Sequence, residues 1–215
     1  MVLFDVDGTL VDSNYLHTVA WSRALRSCSE WAPMNAVHRL IGMGSESLLK
    51  TLIGRSDQAI ADAWRSEYEQ LIDEVHAFPG AADLLFDLHR AGVTVGLATS
   101  APAEHLEHMI DLMGVRDAVD LSTCSDDVDR AKPDPEIFLT AMQRGNGEAS
   151  TTFVVGDSTW DVAAANEARL RCIAVETGGF SEAELRDAGA IEVYQDVNAL
   201  RAALRVGSLA ELIGG

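Results

Sequence analysis

The chain has 215 residues, 47% of them hydrophobic and 23% charged, which is enough apolar material for a packed core and too much for a disordered polymer. Its net charge of −18 disfavours nucleic acid and anionic membrane as partners and welcomes a divalent cation. No stretch of eighteen uncharged apolar residues and no leader pattern is visible, and the three cysteines (Cys28, Cys124, Cys172) are odd in number and far apart; reduced thiols in a cytoplasmic protein are the expectation.

In chain order, Val2–Val6 reads as a short buried strand. Helical periodicity follows over Asn14–Leu25, Met34–Leu40, Glu46–Leu52 and Asp57–Val75, a block without a convincing strand that ends at Phe78-Pro79-Gly80, where Pro79 can start a new helix. Beyond it the pattern alternates: helix 80–91 and strand Val93–Ala98, helix Ala103–Met113 and strand Ala118–Leu121, helix Pro135–Gln143 and strand Thr152–Val155. Helix Thr159–Ala168 and strand Cys172–Val175, helix Glu182–Asp187 and strand Ile191–Val193, and helix Val197–Leu204 complete it, with Ser208–Gly215 as a short final helix or frayed end. Repeated units of this length predict an α/β fold: a three-layer, Rossmann-like core with a central parallel sheet covered by helices on both faces. The first strand needs a sheet to join, so the economical reading is a discontinuous core, residues 1–13 and 79–215, with residues 14–78 inserted as an α-helical cap.

Polar residues gather at the strand ends. After the first strand, Asp5 and Asp7 are two positions apart and share one side of an extended segment, and Gly8 and Thr9 follow. Two carboxylates that close repel unless a positive charge, most cheaply a hard divalent cation, compensates them. Thr99 and Ser100 follow the strand ending at Ala98; such hydroxyls either cap the next helix or hold an anion with its backbone N–H groups. Lys132 stands in Ala131-Lys132-Pro133 and is one of only two lysines beside fourteen arginines, the other being Lys50 in an amphipathic stretch. Last, Val155-Gly156-Asp157-Ser158-Thr159-Trp160-Asp161 puts Asp157 at a strand end and Asp161 one helical turn later. Asp157 is expected to bind a metal; Asp161 either completes the shell through water or holds Ser158 and Lys132 in position, and capping is the competing role for Asp157 and Ser158.

The motif V-L-F-D-V-D-G-T-L-V-D-S over Val2–Ser13, with the three later clusters in the same order, resembles the haloacid dehalogenase-like superfamily, in which most members are magnesium-dependent phosphatases. The resemblance covers most of the chain. It implies Asp5 as nucleophile, Asp7 as general acid/base, Thr99 on the transferring phosphoryl group with Ser100 beside it, and Lys132 as its positive clamp. It also implies Mg²⁺ held by the Asp5 and Asp157 carboxylates and the backbone carbonyl of Asp7. A general acid at Asp7 needs a raised pKa, for which nearby negative charge acts in the right direction. Asp161 and Ser158 are then auxiliary.

Specificity belongs to the cap. Ser13, His17 and Trp21 on its first segment resemble both the phosphoglycolate phosphatase-like branch and the beta-phosphoglucomutase-like branch. His17 and Trp21 face the cleft or pack as a buried aromatic with a satisfied histidine. Against the mutase, Ile41–Ser45 carries no arginine and Gly156 stands where that branch has a glutamate; Arg39 is the nearest cation for an acidic substrate group. The expectation is a phosphatase acting on a small phosphomonoester, as a monomer or homodimer, with a sugar-phosphate mutase as the alternative. His105 and His108, three residues apart, read as surface histidines and not as a zinc pair.

Overall fold

The computed structural model describes residues 1–213. Its elements run β1 (Val2–Phe4), β2 (Val11–Asp12), α1 (Asn14–Ser27), α2 (Met34–His38), α3 (Ser45–Ile53), α4 (Gln58–Glu69), β3 (His76–Ala77), α5 (Ala81–Arg90), β4 (Val95–Ala98) and α6 (Ala103–Met113). There follow β5 (Leu121–Thr123), α7 (Glu136–Arg144), β6 (Phe153–Gly156), α8 (Thr159–Glu167), β7 (Arg171–Val175), α9 (Glu182–Ala188), β8 (Glu192–Tyr194), α10 (Val197–Ala202) and α11 (Ala210–Ile213). Six strands form one parallel sheet in the order β5-β4-β1-β6-β7-β8.

Alternation along the strands divides the core into two faces. Val2 and Phe4 of β1, Val95 and Leu97 of β4 and Phe153 and Val155 of β6 pack with α5, α6 and α10, through residues such as Leu84, Leu88, Met109 and Leu200. Leu3, Ala98 and Val154 point the other way, onto Phe138 of α7, Val162 of α8 and Leu185 of α9. Both faces are covered, so the strands are apolar throughout, and the result is the three-layer core expected. The cap closes its own smaller core from Trp21, Leu25, Val37, Leu48, Leu49 and Ile60.

The sheet order places β1 between β4 and β6, so the chain leaves the sheet for the cap from its centre. It crosses through a feature absent from the reading above. β2 and β3 pair antiparallel, Val11 with Ala77 and Asp12 with His76, so the outgoing and returning strands of the cap are tied to each other. Smaller differences have local causes. The helix expected over Asp57–Val75 stops at Glu69 and gives way to a 3₁₀ turn at Ile72–Glu74. The strand expected at Ala118–Leu121 begins only at Leu121, because Arg116–Ala118 is a 3₁₀ turn. Gly80, left-handed at φ +87°, stands between Pro79 and α5, so proline does not open that helix. The final helix lies within the tail expected for one, whose last two residues are outside the described ones. Among the described residues no helix is long and apolar enough to cross a membrane.

Phe4 is fully buried on the central strand, where no neighbour can move in to fill its place. Phe4→Ala is expected to lower the unfolding free energy by about 3–5 kcal/mol, read from urea denaturation. A loss below about 1 kcal/mol would place this side chain outside the close-packed core.

Candidate active site

Four loops meet at the carboxyl end of the sheet, and each brings polar side chains to one point. Asp5 and Asp7 follow β1, Thr99 and Ser100 follow β4, Lys132 comes from the connection between β5 and α7, and Asp157 follows β6. This is the crevice where neighbouring connections of an open α/β sheet diverge.

Lys132 lies at the centre. Its side chain is completely buried, and Nζ stands 2.5 Å from Asp5 Oδ1 and 2.8 Å from Asp161 Oδ1, donates to the Ala98 carbonyl at 3.1 Å, and lies 5.0 Å from the centre of the Phe138 ring. Burial alone would pull the ammonium down, but the charges of Asp161 and Asp5 outweigh it and hold Lys132 protonated, above its ordinary range. Asp161 reaches in the other direction too. Its Oδ2 accepts from the Ser158 backbone N–H at 3.1 Å and from Ser158 Oγ at 2.5 Å, while its own N–H donates to Ser158 Oγ at 3.3 Å. The capping box that starts α8 is therefore the same network that aims Asp161 at Lys132.

Asp157 is fixed from the cap side. Thr9 Oγ1 donates to its Oδ1 at 2.8 Å and Asn14 Nδ2 to its Oδ2 at 3.0 Å; Thr9 also lies 3.3 Å from Asp5 Oδ2. Gly8, at φ +80°, passes so near that a Cβ there would overlap Asn14 and the Asp157 carboxylate. Asn14 was not singled out in the sequence, where it shows only as the first residue of a helix.

Asp5, Asp157 and Asp161 bring one carboxylate oxygen each within 4.8 Å of one another, all buried. Three carboxylates face one ammonium, leaving an excess of two negative charges. Burial, then the neighbouring Asp161 and Asp5, push Asp157 well above the ordinary carboxylate range, and burial pushes Asp5 up to about 7 against the pull of Lys132. An oxygen-only donor set with this surplus fits a hard divalent cation, which would supply the charge the site lacks. The cluster is consistent with a divalent-metal site, and it brings Asp161 beside Asp5 and Asp157, where the sequence reading had the Asp7 carbonyl as the further ligand and Asp161 as auxiliary.

Asp7 departs from expectation. Burial would raise it, but the charge of His17 and hydrogen bonds from His17 and Ser13 prevail and hold it down at about 2, where a raised value was expected. His17 Nε2 is 3.0 Å from Asp7 Oδ1, and Ser13 Oγ donates to the same oxygen at 2.6 Å. The sequence shows the acids around Asp7 but not which donors the cap helix turns toward it. Thr99 Oγ1 lies 3.5 Å from Asp7 Oδ2 and accepts from the Ala101 N–H at 3.1 Å. Ser100 Oγ donates across to the cap, to the Gly42 carbonyl at 3.1 Å.

Between core and cap lies a cavity of about 590 Å³ with Asp5, Asp7, Thr99 and Ser100 on its floor and His17, Trp21 and the loop Ile41–Ser45 on its cap wall. Both readings of His17 hold together: it lines the cavity and is also buried, stacked on Tyr68 at 3.8 Å between ring centres. Arg39 is elsewhere. Its guanidinium pairs with Glu184 and lies 3.8 Å over the Phe180 ring, outside the cavity, so the expected contact with an acidic substrate group has no support in this geometry. The cap cation that does line the cavity is Arg65 of α4, which the sequence reading passed over. His105 is also corrected. It is buried and packs against Tyr68 at 5.1 Å, because the interface of cap and core covers its face of α6.

The family model described as haloacid dehalogenase-like hydrolase matches residues 2–175, and the chain belongs to that family. It is a hydrolase of the phosphatase kind, in the branch of the superfamily with a helical cap. Among similar proteins, validoxylamine A 7'-phosphate phosphatase of Streptomyces hygroscopicus subsp. limoneus is 30% identical over 200 residues, covering 85% of this chain and 88% of that one. Phosphoglycolate phosphatase of Pseudomonas fluorescens Pf-5 is 29% identical, over 83% of this chain and 70% of its own. The crystal structure of a hydrolase from Pseudomonas syringae superposes with a TM-score of 0.89 at 30% identity, covering 96% of this chain and 99% of that one.

The surplus of buried negative charge has a measurable cost. Without divalent cations, Asp157→Asn is expected to melt at a higher temperature than the parent, since it keeps the shape and removes a carboxyl whose ionisation is unfavourable in that place. Adding Mg²⁺ should raise the melting temperature of the parent and leave that of the variant nearly unmoved. Equal shifts in both proteins would mean that the cation binds somewhere other than this cluster.

Proposed function

We propose that the protein is a Mg²⁺-dependent phosphatase that hydrolyses a small phosphomonoester through a phosphorylated Asp5. The observation that carries this reading is the buried Lys132 ammonium bound to Asp5 and Asp161 beside Asp157, opening onto a cavity floored by Asp5, Asp7, Thr99 and Ser100. Mg²⁺ held by the carboxylates of Asp5 and Asp157 and the carbonyl of Asp7 would neutralise phosphoryl oxygens and the carboxylate charge around them.

The residues divide the work. An Asp5 carboxylate oxygen attacks phosphorus in line, the bond to the leaving oxygen breaks, and an aspartyl-phosphate remains; one hard displacement becomes two easier ones. Lys132 pulls Asp5 toward the ionised form against the effect of burial and offers its charge to the phosphoryl group as negative charge shifts in the transition state. Thr99 and the backbone N–H groups that follow it hold a phosphoryl oxygen. Asp7 protonates the leaving oxygen and then takes a proton from the water that attacks the intermediate, releasing inorganic phosphate. With His17 and Ser13 bound to it, Asp7 starts as a carboxylate; the arrival of a phosphate dianion adds negative charge beside it and moves its pKa upward, so that Asp7 takes up a proton from solvent before it serves as the acid.

Hydrolysis is favoured over phosphoryl movement within a sugar phosphate. The loop Ile41–Ser45 presents no cation to the cavity, and Arg65 lies near Asp62, at 3.6 Å. At Gly156, a Cβ would overlap Asp161, so the carboxylate of the mutase branch could enter only by displacing the partner of Lys132. The named relatives are phosphatases, which agrees.

Asp5→Asn is expected to abolish turnover with the fold intact, and rapid-quench labelling of the parent should put phosphate on Asp5; label on another residue, or direct attack by water, would remove the covalent mechanism. Lys132→Ala is expected to lower kcat/KM by roughly two orders of magnitude or more, in line with a lost transition-state donor. Arginine there should rescue poorly, being a planar fork in place of a compact charge. Release of inorganic phosphate should account for essentially all turnover. Interconversion of sugar 1- and 6-phosphates, stimulated by a hexose bisphosphate and faster than phosphate release, would establish the mutase instead.

A further inference from the structure

Asn14, the first residue of α1, is a buried amide at the junction of cap and core that the phosphoryl chemistry leaves without a task. Its Nδ2 donates to Asp157 Oδ2 at 3.0 Å, whereas its Oδ1 is buried with no hydrogen-bond partner among the described residues. A buried amide with one end unpaired costs stability, and an apolar residue of similar size would pack there with less penalty. The contact with Asp157 is the one hydrogen bond this side chain makes among the described residues, so Asn14 acts through that carboxylate.

The two oxygens of Asp157 are held from different units. Thr9, which precedes the β2–β3 ribbon, donates to Oδ1 at 2.8 Å, and Asn14, beyond it on the cap, donates to Oδ2. Around Oδ2 the space is closed: a Cβ at Gly8 would overlap both that oxygen and the Asn14 amide, and one at Gly178 would overlap the oxygen from another side. Thr177 Oγ1 donates to the Gly8 carbonyl at 2.5 Å and fixes the backbone there. A displacement of α1 by about 1 Å would take Asn14 and Asp157 out of hydrogen-bond range. The seating of α1 depends in turn on contacts outside the cavity. α2 packs on α1 and leads into Arg39, whose carbonyl accepts from Trp160 Nε1 and whose guanidinium lies between Glu184 and the Phe180 ring.

We propose that Asn14 is a positioning residue through which docking of the cap and binding of the cation at the acid cluster strengthen each other. Asp157 Oδ2 is held ready only while α1 is seated, and by linkage the bound cation favours the seated cap to the same degree. This rests on the phosphatase reading above, in which Asp157 holds Mg²⁺.

The test needs no substrate. Mg²⁺ binding is measured by calorimetry on the parent, Asn14→Ala and Asn14→Leu, and amide hydrogen exchange is followed with and without Mg²⁺. Both variants keep a good helix former at the start of α1, and their melting without metal shows that they fold. The dissociation constant for Mg²⁺ should rise about tenfold or more in each, as when the partner of a metal ligand is lost. In the parent, Mg²⁺ should slow exchange several-fold along α2 and Arg39, which meet the core at Glu184 and Phe180; in the variants that added protection should disappear. An unchanged dissociation constant in a folded variant would overturn the proposal. So would Mg²⁺ binding to the parent without added protection of α2, a result that needs no variant. Weakened binding with α2 protected equally in parent and variant would confine Asn14 to orienting Asp157 and overturn the coupling. Failure of the parent to bind Mg²⁺ would overturn the metal site of the phosphatase reading itself, and this assignment with it.

Discussion

A buried ammonium with two carboxylate partners is the constraint on which the rest of this structure depends. Lys132 has no exposed surface, and an unpaired charge in that position would cost several kcal/mol. Its pairing with Asp5 and Asp161 compensates the ammonium but over-supplies negative charge once Asp157 is counted. The stable answer is a second positive charge. The cluster therefore fits a divalent cation, whose charge would offset this surplus. The sheet order makes this geometry reachable: with β1 central between β4 and β6, three strand ends and the loop after β5 converge without any long excursion.

The cap takes part in that constraint as well as roofing it. Its first helix supplies Asn14 to Asp157 and His17 to Asp7, and Ser13, one residue earlier, also bonds Asp7. Its loops are held to the core by Ser100 on the Gly42 carbonyl, Trp160 Nε1 on the Arg39 carbonyl at 3.1 Å, and the Arg39 pair with Glu184. The cap thus touches two carboxylates of the site, Asp7 and Asp157. Movement of α1 relative to the sheet would change the protonation of Asp7 and the aim of Asp157 together, so docking of the cap and readiness of the site are not separable properties here.

Much of this was legible in the sequence because it follows from short-range rules. Short apolar runs mark β1, β4, β6 and β7, bounded by glycine or polar pairs. Polar clusters directly after apolar runs can only land at strand ends. The antiparallel ribbon escaped because two-residue strands such as Val11–Asp12 and His76–Ala77 have no period to detect; they exist only because the two crossings of the cap lie side by side. Arg65 and His105 were misjudged for a related reason. Each sits on an amphipathic helix whose outward face meets the other unit, and helical periodicity reports which face is apolar but not what approaches the polar one. The depressed pKa of Asp7 is the sharpest case: counting acids along the chain gives the opposite sign from the two donors that the cap places on one of its oxygens.

Close packing around the acids also explains why small residues recur beside them. A Cβ at Gly8 or at Gly178 would overlap the Asp157 carboxylate, and one at Gly156 would overlap Asp161. The three glycines keep side chains out of the ring of carboxylates from three directions, so the space left beside the acids is small and polar. Recognition of anything beyond a phosphoryl group is thereby pushed outward, to the cavity walls built by α1, α4 and the loops of cap and core. That separation lets the walls vary in charge and shape without disturbing Lys132 and its partners.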